Sequence, residues 1–337
     1  MRTQKLTPEE QIRSAREAYE NGTDFTLAVE EEFAVLDPET LSLANRFEEL
    51  QAAAQGTPLE EHLVGELIAS EVEVRTGRCE SFAEAAAKVG ERRAQLDELA
   101  GGLGIALAAV GTHPWSPWQE QRIIDTPHYR KNDELLRYVV WRNNTFGLHV
   151  HVGIRGADRA IAVCNGLRNY LPELLAVSAS SPMVEAVCTY LHSARTEIFT
   201  RMFPRCGVPD AYDGWRGFED YVRCYALTAR IARALDEGEP LPNYPHRLIE
   251  ENFWRAIRYG LSGELIDLTT GDVRPARAHL ERLLEWVAPV AEELGAAQYL
   301  AVPTANSAER QLAQYEDGAS LQEIYAGLVR RGAPVRG

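Results

Sequence analysis

Apolar residues fall at every second position in two short stretches of this chain, with ionisable residues between them. The first is Val29-Glu30-Glu31-Glu32-Phe33, continuing to Val35; the second is Gly147-Leu148-His149-Val150-His151-Val152-Gly153. A period of two marks a β-strand with one packed face. It sets Glu30 and Glu32 on one face of the first strand, and His149 and His151 on one face of the second. Val29, Phe33 and Val35 take the packed side of the first; Leu148, Val150, Val152 and Ile154 take that of the second.

The same patterning predicts the other elements. A helix opens at Thr7-Pro8-Glu9-Glu10, where a capping threonine, a first-turn proline and a glutamate three residues after the cap coincide. It ends near Asn21-Gly22. The first strand covers residues 25–36, before Asp37-Pro38. A second strand region covers 66–74, with Glu71, Glu73 and Arg75 alternating against Val72 and Val74. Ser81-Phe82-Ala83-Glu84 caps a helix that runs to about Leu99. A buried strand over 105–110 ends at Gly111-Thr112-His113-Pro114. Residues 115–125 read as a loop, 133–142 as a helix, and 158–179 as a helix bent at Pro172. Residues 180–212, rich in Arg, Pro and Ser, show no period, and irregular stretches of that length inside a domain are usually functional or disordered. Helices are then expected over 215–237, 242–259, 276–294, 307–315 and 320–331. Strands and helices are mixed in the first half, the last third reads as almost purely helical, and no linker separates them. The expectation is one α+β domain over 1–337, its sheet mainly within 25–223 and a helical part over 224–335.

Charge narrows the partners. With 35 basic and 50 acidic residues the formal net charge is −15, which disfavours nucleic acid or an anionic membrane as the main partner. It suits a protein that gathers carboxylates around divalent cations. The five cysteines form no C-x-x-C pair. That argues against a disulfide framework or a cysteine-bound zinc, and for a reducing, cytoplasmic setting. Residues 1–20 lack the apolar core of a signal peptide, and no apolar run is long enough to span a bilayer.

Hard divalent cations take oxygen ligands, and Mg²⁺ characteristically sits on carboxylates and substrate phosphates. Glu30, Glu32 and Glu73 could supply the carboxylates, with His149 joining them or touching a phosphate. Two glutamates on one strand face are ordinary by themselves; their occurrence together with His-x-His, each on an otherwise apolar strand, points to a metal and phosphate site. Developing negative charge in phosphoryl transfer needs cations as well. Arg195 and Arg201 in the irregular stretch are candidates, as are Arg255 and Arg258 in Trp254-Arg255-Ala256-Ile257-Arg258-Tyr259-Gly260. There is no G-x-x-x-x-G-K-[ST] loop, no G-x-G-x-x-G fingerprint and no G-x-S-x-G elbow, so a nucleotide would have to bind on the sheet with metals. A zinc hydrolase using His149 and His151 is disfavoured. Barrel enzymes of that kind place His-x-His on the first strand, and the alternation a barrel needs is absent from the last third.

Five pieces in order, V-E-E-E-F, G-T-H-P, G-L-H-V-H-V-G, H-S-A-R and W-R-A-x-R-Y-G-L, resemble the carboxylate–amine ligase family, the bacterial glutamate–cysteine ligase type 2 group. The resemblance covers about residues 25–331. It implies a glutamine synthetase-like antiparallel sheet forming a funnel with flanking helices. It also implies ATP and Mg²⁺ as cofactors, and the joining of glutamate to cysteine or another small amine. Carried over by motif, Glu30, Glu32, Glu73 and His149 look like metal ligands, with Glu66 a weaker match. His149 and Arg255 look like nucleotide contacts, His151 and Arg195 like substrate contacts, and Arg195 and Arg258 like catalytic arginines. Family members carry some four dozen further residues where this chain passes from Arg223 to Cys224, including a strand whose glutamate binds metal. The resemblance therefore implies one or more missing sheet strands, an open sheet edge near that junction that invites a homodimer, and, as an alternative function, a catalytically impaired relative that only binds amino acid or nucleotide.

Overall fold

The computed structural model describes residues 6–178 and 219–331. Helix α1 (Pro8–Glu20) leads into β1 (Leu27–Leu36), α2 (Phe47–Ala54), β2 (Leu63–Val64) and β3 (Glu71–Arg75). Next come α3 (Phe82–Gly102), β4 (Ala106–Ala108), α4 (Pro127–Leu136), α5 (Tyr138–Trp141) and β5 (Leu148–Val152). α6 (Ala157–Leu167) and α7 (Leu171–Val177) follow. The second described segment holds α8 (Glu219–Asp236), α9 (His246–Tyr259), β6 (Glu264–Ile266), β7 (Val273–Pro275), α10 (Ala276–Glu293), α11 (Ser307–Glu316) and α12 (Leu321–Arg331).

β1 is the hub of an antiparallel sheet of order β2-β3-β1-β4, with β5 also on β1. β3 covers one side of β1 along 30–34. On the other side β5 pairs with 27–31 and β4 with 34–36. The described strands do not close into a barrel. Odd-numbered residues of β1 face the core. Phe33 and Val35 join Val72, Val74, Leu96 and Leu107 in one apolar cluster, which α2 completes with Phe47 and Leu50. Leu27 and Val29 join Phe82 and Val89 of α3 and Tyr221, Val222 and Tyr225 of α8 in a second. Three helices, α2, α3 and α8, thus cover the packed face, and even-numbered residues are left to line the other. A third cluster, including Val163, Leu227, Ile231, Leu280, Leu284 and Val287, joins α8 to α6 and α10.

The helix starts behave as their caps require. Thr7 and Glu10 form the reciprocal capping box of α1. At α3 the Ser81 hydroxyl accepts from Glu84 N–H, while the Glu84 carboxylate reaches back one residue further, to Glu80 N–H.

Several expected elements differ. The helix expected over 133–142 starts earlier, at Pro127 behind the Thr126 cap, and breaks at Arg137, whose φ of 44° no helix accommodates. The bent helix over 158–179 is two helices joined by a 3₁₀ turn, with Pro172 in the first turn of the second, where its missing N–H costs nothing. In the last third, which reads as almost purely helical, Val273–Pro275 instead forms β7, which pairs with β6; strands of three residues are too short to show a period. α2 was not anticipated, although Phe47, Leu50 and Ala54 have helical spacing and are its buried residues. The Arg223–Cys224 junction lies inside α8. Buried residues at 221, 222, 225, 226 and 229 keep helical spacing across it without interruption. Among the described residues β5 pairs only with β1, so its outer side is one open edge of the sheet, and α8 packs against this strand.

Candidate active site

Strand register brings the predicted side chains together. Glu32 lies opposite Glu73 on β3, and Glu30 lies opposite Arg75 on β3 and His149 on β5. His151 is opposite Ala28. Two glutamates directly across an antiparallel pair repel unless a cation lies near. Glu30 Oε2 is 3.2 Å from His149 Nδ1 and 3.2 Å from His151 Nε2. The same His149 nitrogen is 3.9 Å from Glu32 Oε1 and 4.0 Å from Glu73 Oε2.

The other oxygen of each carboxylate is held by a donor. Arg75 Nε lies 2.5 Å from Glu73 Oε1 and 3.4 Å from Glu30 Oε1. The Gly147 N–H donates to Glu32 Oε2. A Cβ on residue 147 would sit 3.1 and 3.2 Å from the two Glu32 oxygens, so any side chain there would push the carboxylate by a few tenths of an ångström. Three carboxylates are therefore each held on the outer oxygen and turn the inner one toward His149. Donors behind the ligands orient many metal sites in this way.

Burial is graded across the site. Glu73 and Glu32 are buried, while the His149 and His151 side chains are 50 % and 59 % exposed, so the imidazoles stand on the open side. Burial pushes Glu73 up to about 7, against the pull of the Arg75 hydrogen bond. Glu71, also on β3, is raised well above the carboxylate range by burial, then by the charge of Glu32 and a hydrogen bond with it. Burial, followed by the charge of Glu32, raises Glu66 in the turn before β3. For Glu30 burial acts upward, but the bond to His151 and the charges of His151, Arg75 and His149 together hold it below its ordinary value.

A divalent cation fits this set. Glu30, Glu73 and His149 offer ligand atoms all within 4.8 Å of one another. Glu73 Oε2, the oxygen turned toward His149, is buried without a hydrogen-bond partner, a costly state that a cation would relieve. Carboxylate oxygens joined by one imidazole suit a hard or borderline ion.

The predicted arginines are not among the side chains that strand register brings to His149. Arg255 pairs with Glu251 one turn back, and Arg258 lies over the Tyr259 ring; both are on α9, which packs on α7 and β6. Arg195 and Arg201 lie outside the described residues. Sequence reasoning passed over Arg75, Glu71 and Gly147 as site residues. The first two were visible in the Glu71-Val72-Glu73-Val74-Arg75 alternation, which puts all three ionisable residues on Glu73's face.

Relatives share this framework. A family profile described as glutamate-cysteine ligase family 2 matches residues 26–233 and 225–327, two segments that meet at the stretch following the Arg223–Cys224 junction. A Rubrobacter xylanophilus protein named "Putative glutamate--cysteine ligase 2-2" is 35 % identical over 364 positions, covering 94 % of each chain. A Sorangium cellulosum protein named "Putative glutamate--cysteine ligase 2" is 34 % identical over 365 positions, covering 92 % of this chain and 96 % of its own. Both alignments are longer than the 337 residues of this chain, so these relatives carry residues that it lacks. Among solved structures, the Francisella tularensis glutamate–cysteine ligase in complex with AMP superposes with a TM-score of 0.64 at 10 % identity, covering 94 % of this chain and 91 % of that one. A bifunctional glutathione synthetase from Pasteurella multocida gives 0.61 at 11 % identity, covering 98 % of this chain and 54 % of that one. The two structures share the fold, and the extent and identity of the sequence matches establish that the chain belongs to glutamate–cysteine ligase family 2.

Proposed function

We propose that this protein is an ATP-dependent carboxylate–amine ligase that joins glutamate to cysteine or another small amine. The observation that carries the reading is the set of three carboxylates, each held on its outer oxygen and turned toward His149 with the other. Family membership supports the reaction class. Glu30, Glu32, Glu73 and His149 would hold Mg²⁺, which supplies neutralisation of phosphate charge. His149 and His151, on the open side of the carboxylates, are proposed to offer ring N–H groups to phosphate and substrate oxygens. Arg255 is proposed as a nucleotide contact, Arg258 as a cation for the transferring phosphoryl group, and Arg195 as the partner of the amino-acid carboxylate.

The reaction balances in two steps. A glutamate carboxylate oxygen attacks the γ-phosphorus of ATP, the bond to ADP breaks, and an acyl phosphate forms. The amine nitrogen then attacks the acyl carbon, phosphate leaves with the C–O electron pair, and the nitrogen loses its proton. The protein's part is to hold two anionic reactants together and to stabilise charge. The reading takes residues 1–337 as one cytoplasmic domain, with small molecules as its partners and a homodimer as its assembly.

A second reading, an impaired relative that retains only binding, is favoured by the residues that relatives carry and this chain lacks. Phosphate release from MgATP, with and without glutamate plus cysteine, separates the two. Release that requires both amino acids supports the ligase. Binding of ATP or glutamate without release supports the impaired form. Neither binding nor release would sink both.

A further inference from the structure

Between the two glutamates on the site face, Glu31 points the opposite way, into the core. It is 1 % exposed, in a row otherwise made of Leu27, Val29, Phe33 and Val35. A carboxylate there is tolerable only if fully paired. Arg93 of α3 grips both oxygens, with Nε 2.8 Å from Oε2 and Nη2 on Oε1. The Tyr221 hydroxyl of α8 donates to Oε1 and accepts from Arg93 Nη2 at 3.0 Å. Arg93 and Tyr221 are themselves buried. Four residues further along α8, the Tyr225 hydroxyl donates to the Phe25 carbonyl at 2.7 Å. Phe25 has a φ of 61°, a strained value for a phenylalanine, and Tyr225 secures it at the entry to β1.

We propose that Arg93 and Tyr221 are positioning residues for the metal site: by binding Glu31 from behind, they fix the pleat of β1 and so aim Glu30 and Glu32. The inference rests on the reading of Glu30 and Glu32 as ligands. In a strand, residue i sets the direction of i−1 and i+1, because successive side chains leave opposite faces. Losing Arg93 would leave the buried Glu31 carboxyl without its ion pair. A local bulge at 31 would bring it toward water, and a bulge re-aims its neighbours. α8 contributes through the turn that carries Val222 and Arg223, so the helix spanning the junction also braces the site strand.

The test uses the full chain and Mn²⁺ alone, with free Mn²⁺ counted by electron paramagnetic resonance. Arg93→Leu is expected to weaken Mn²⁺ binding by about tenfold or more, the range seen for groups that orient ligands. The triple variant E31L/R93L/Y221F replaces the buried charges and the hydroxyl left without a partner by apolar groups, and should restore binding. Tyr221→Phe alone should weaken it a few-fold. Hydrogen exchange over 27–36 should rise in Arg93→Leu and recover in the triple variant, whether or not metal binds. A folded Arg93→Leu variant with wild-type Mn²⁺ affinity overturns the proposal, as does a triple variant as weak as Arg93→Leu. If Arg93→Leu does not fold, unchanged affinity in Tyr221→Phe overturns it. Wild-type protein that binds no Mn²⁺ overturns the ligand assignment instead; the brace on β1 is then judged by hydrogen exchange alone.

Discussion

Gly147→Ala is a one-methyl probe of how the carboxylates are held. The glycine N–H donates to Glu32 Oε2, and the new Cβ would lie 3.1 and 3.2 Å from the Glu32 oxygens, closer than ordinary contact. Glu32 must therefore move by a few tenths of an ångström, and it is boxed in by Glu73 opposite and by its hydrogen bond with Glu71. A hydrogen bond to a charged group contributes about 1.5–3 kcal/mol. Losing about half of it, roughly 0.75–1.5 kcal/mol, corresponds to about 4- to 13-fold in a dissociation constant. The expected result is about tenfold weaker Mn²⁺ binding and a matching rise in the Mg²⁺ concentration needed for phosphate release. The fold should survive. Gly147 is not among the glycines with positive φ, so alanine meets no backbone strain. Its restriction of the unfolded chain contributes about 0.4–1 kcal/mol of stability, offsetting part of the local crowding. A thermal melt near that of the wild type, alongside weakened metal binding, is the predicted pair of results. Wild-type metal dependence in this variant would refute the idea that the Gly147 N–H orients Glu32.

Three further outcomes are expected. Glu30→Gln and Glu32→Gln should each abolish amino-acid-dependent phosphate release while circular dichroism stays unchanged; full activity in both would remove these residues from the mechanism. Mg²⁺ should raise the melting temperature, because it binds only the folded site. At a hundredfold excess over its dissociation constant the gain is about 2.7 kcal/mol, and Glu73→Gln should reduce it; an equal gain in that variant argues against Glu73 as a ligand. Glu173 on α7 is pushed up to about 7 by burial, with Oε2 lacking a partner. A carboxyl raised in the folded state contributes stability that is full below its unfolded value and is lost as pH rises through about 7. Glu173→Gln should therefore gain on the wild type between pH 5 and 8, by an amount on the order of 1–3 kcal/mol, read from melts across that range; parallel curves would refute it.

Much of the site was legible because strand periodicity is local. Alternation alone put Glu30 with Glu32 and His149 with His151, and the structure keeps both pairs on one face. Caps at Thr7 and Ser81 placed two helix starts correctly. Where local signals were absent the reading failed. Nothing in Leu136-Arg137-Tyr138 warns of a left-handed residue, and the three-residue strands around 264–275 carry no period.

The role of the middle glutamate was not legible at all. In sequence, Glu30, Glu31 and Glu32 are three like residues, and periodicity says only that the central one faces the other way. That it is buried and tied to Arg93 and Tyr221 depends on α3 and α8 packing behind β1 from 62 and 190 residues away. In the same way, periodicity could show that Glu73 and Arg75 share a strand face, but not that this strand lies beside β1 with Glu32 opposite Glu73. The amino-acid sequence by itself determined which side chains share a face, because backbone geometry forces that at two-residue spacing. Only tertiary structure decided which faces meet, which oxygen each donor takes and which carboxylate is braced from behind. Those are long-range contacts, and they form only when the summed burial of distant segments outweighs the entropy of bringing them together.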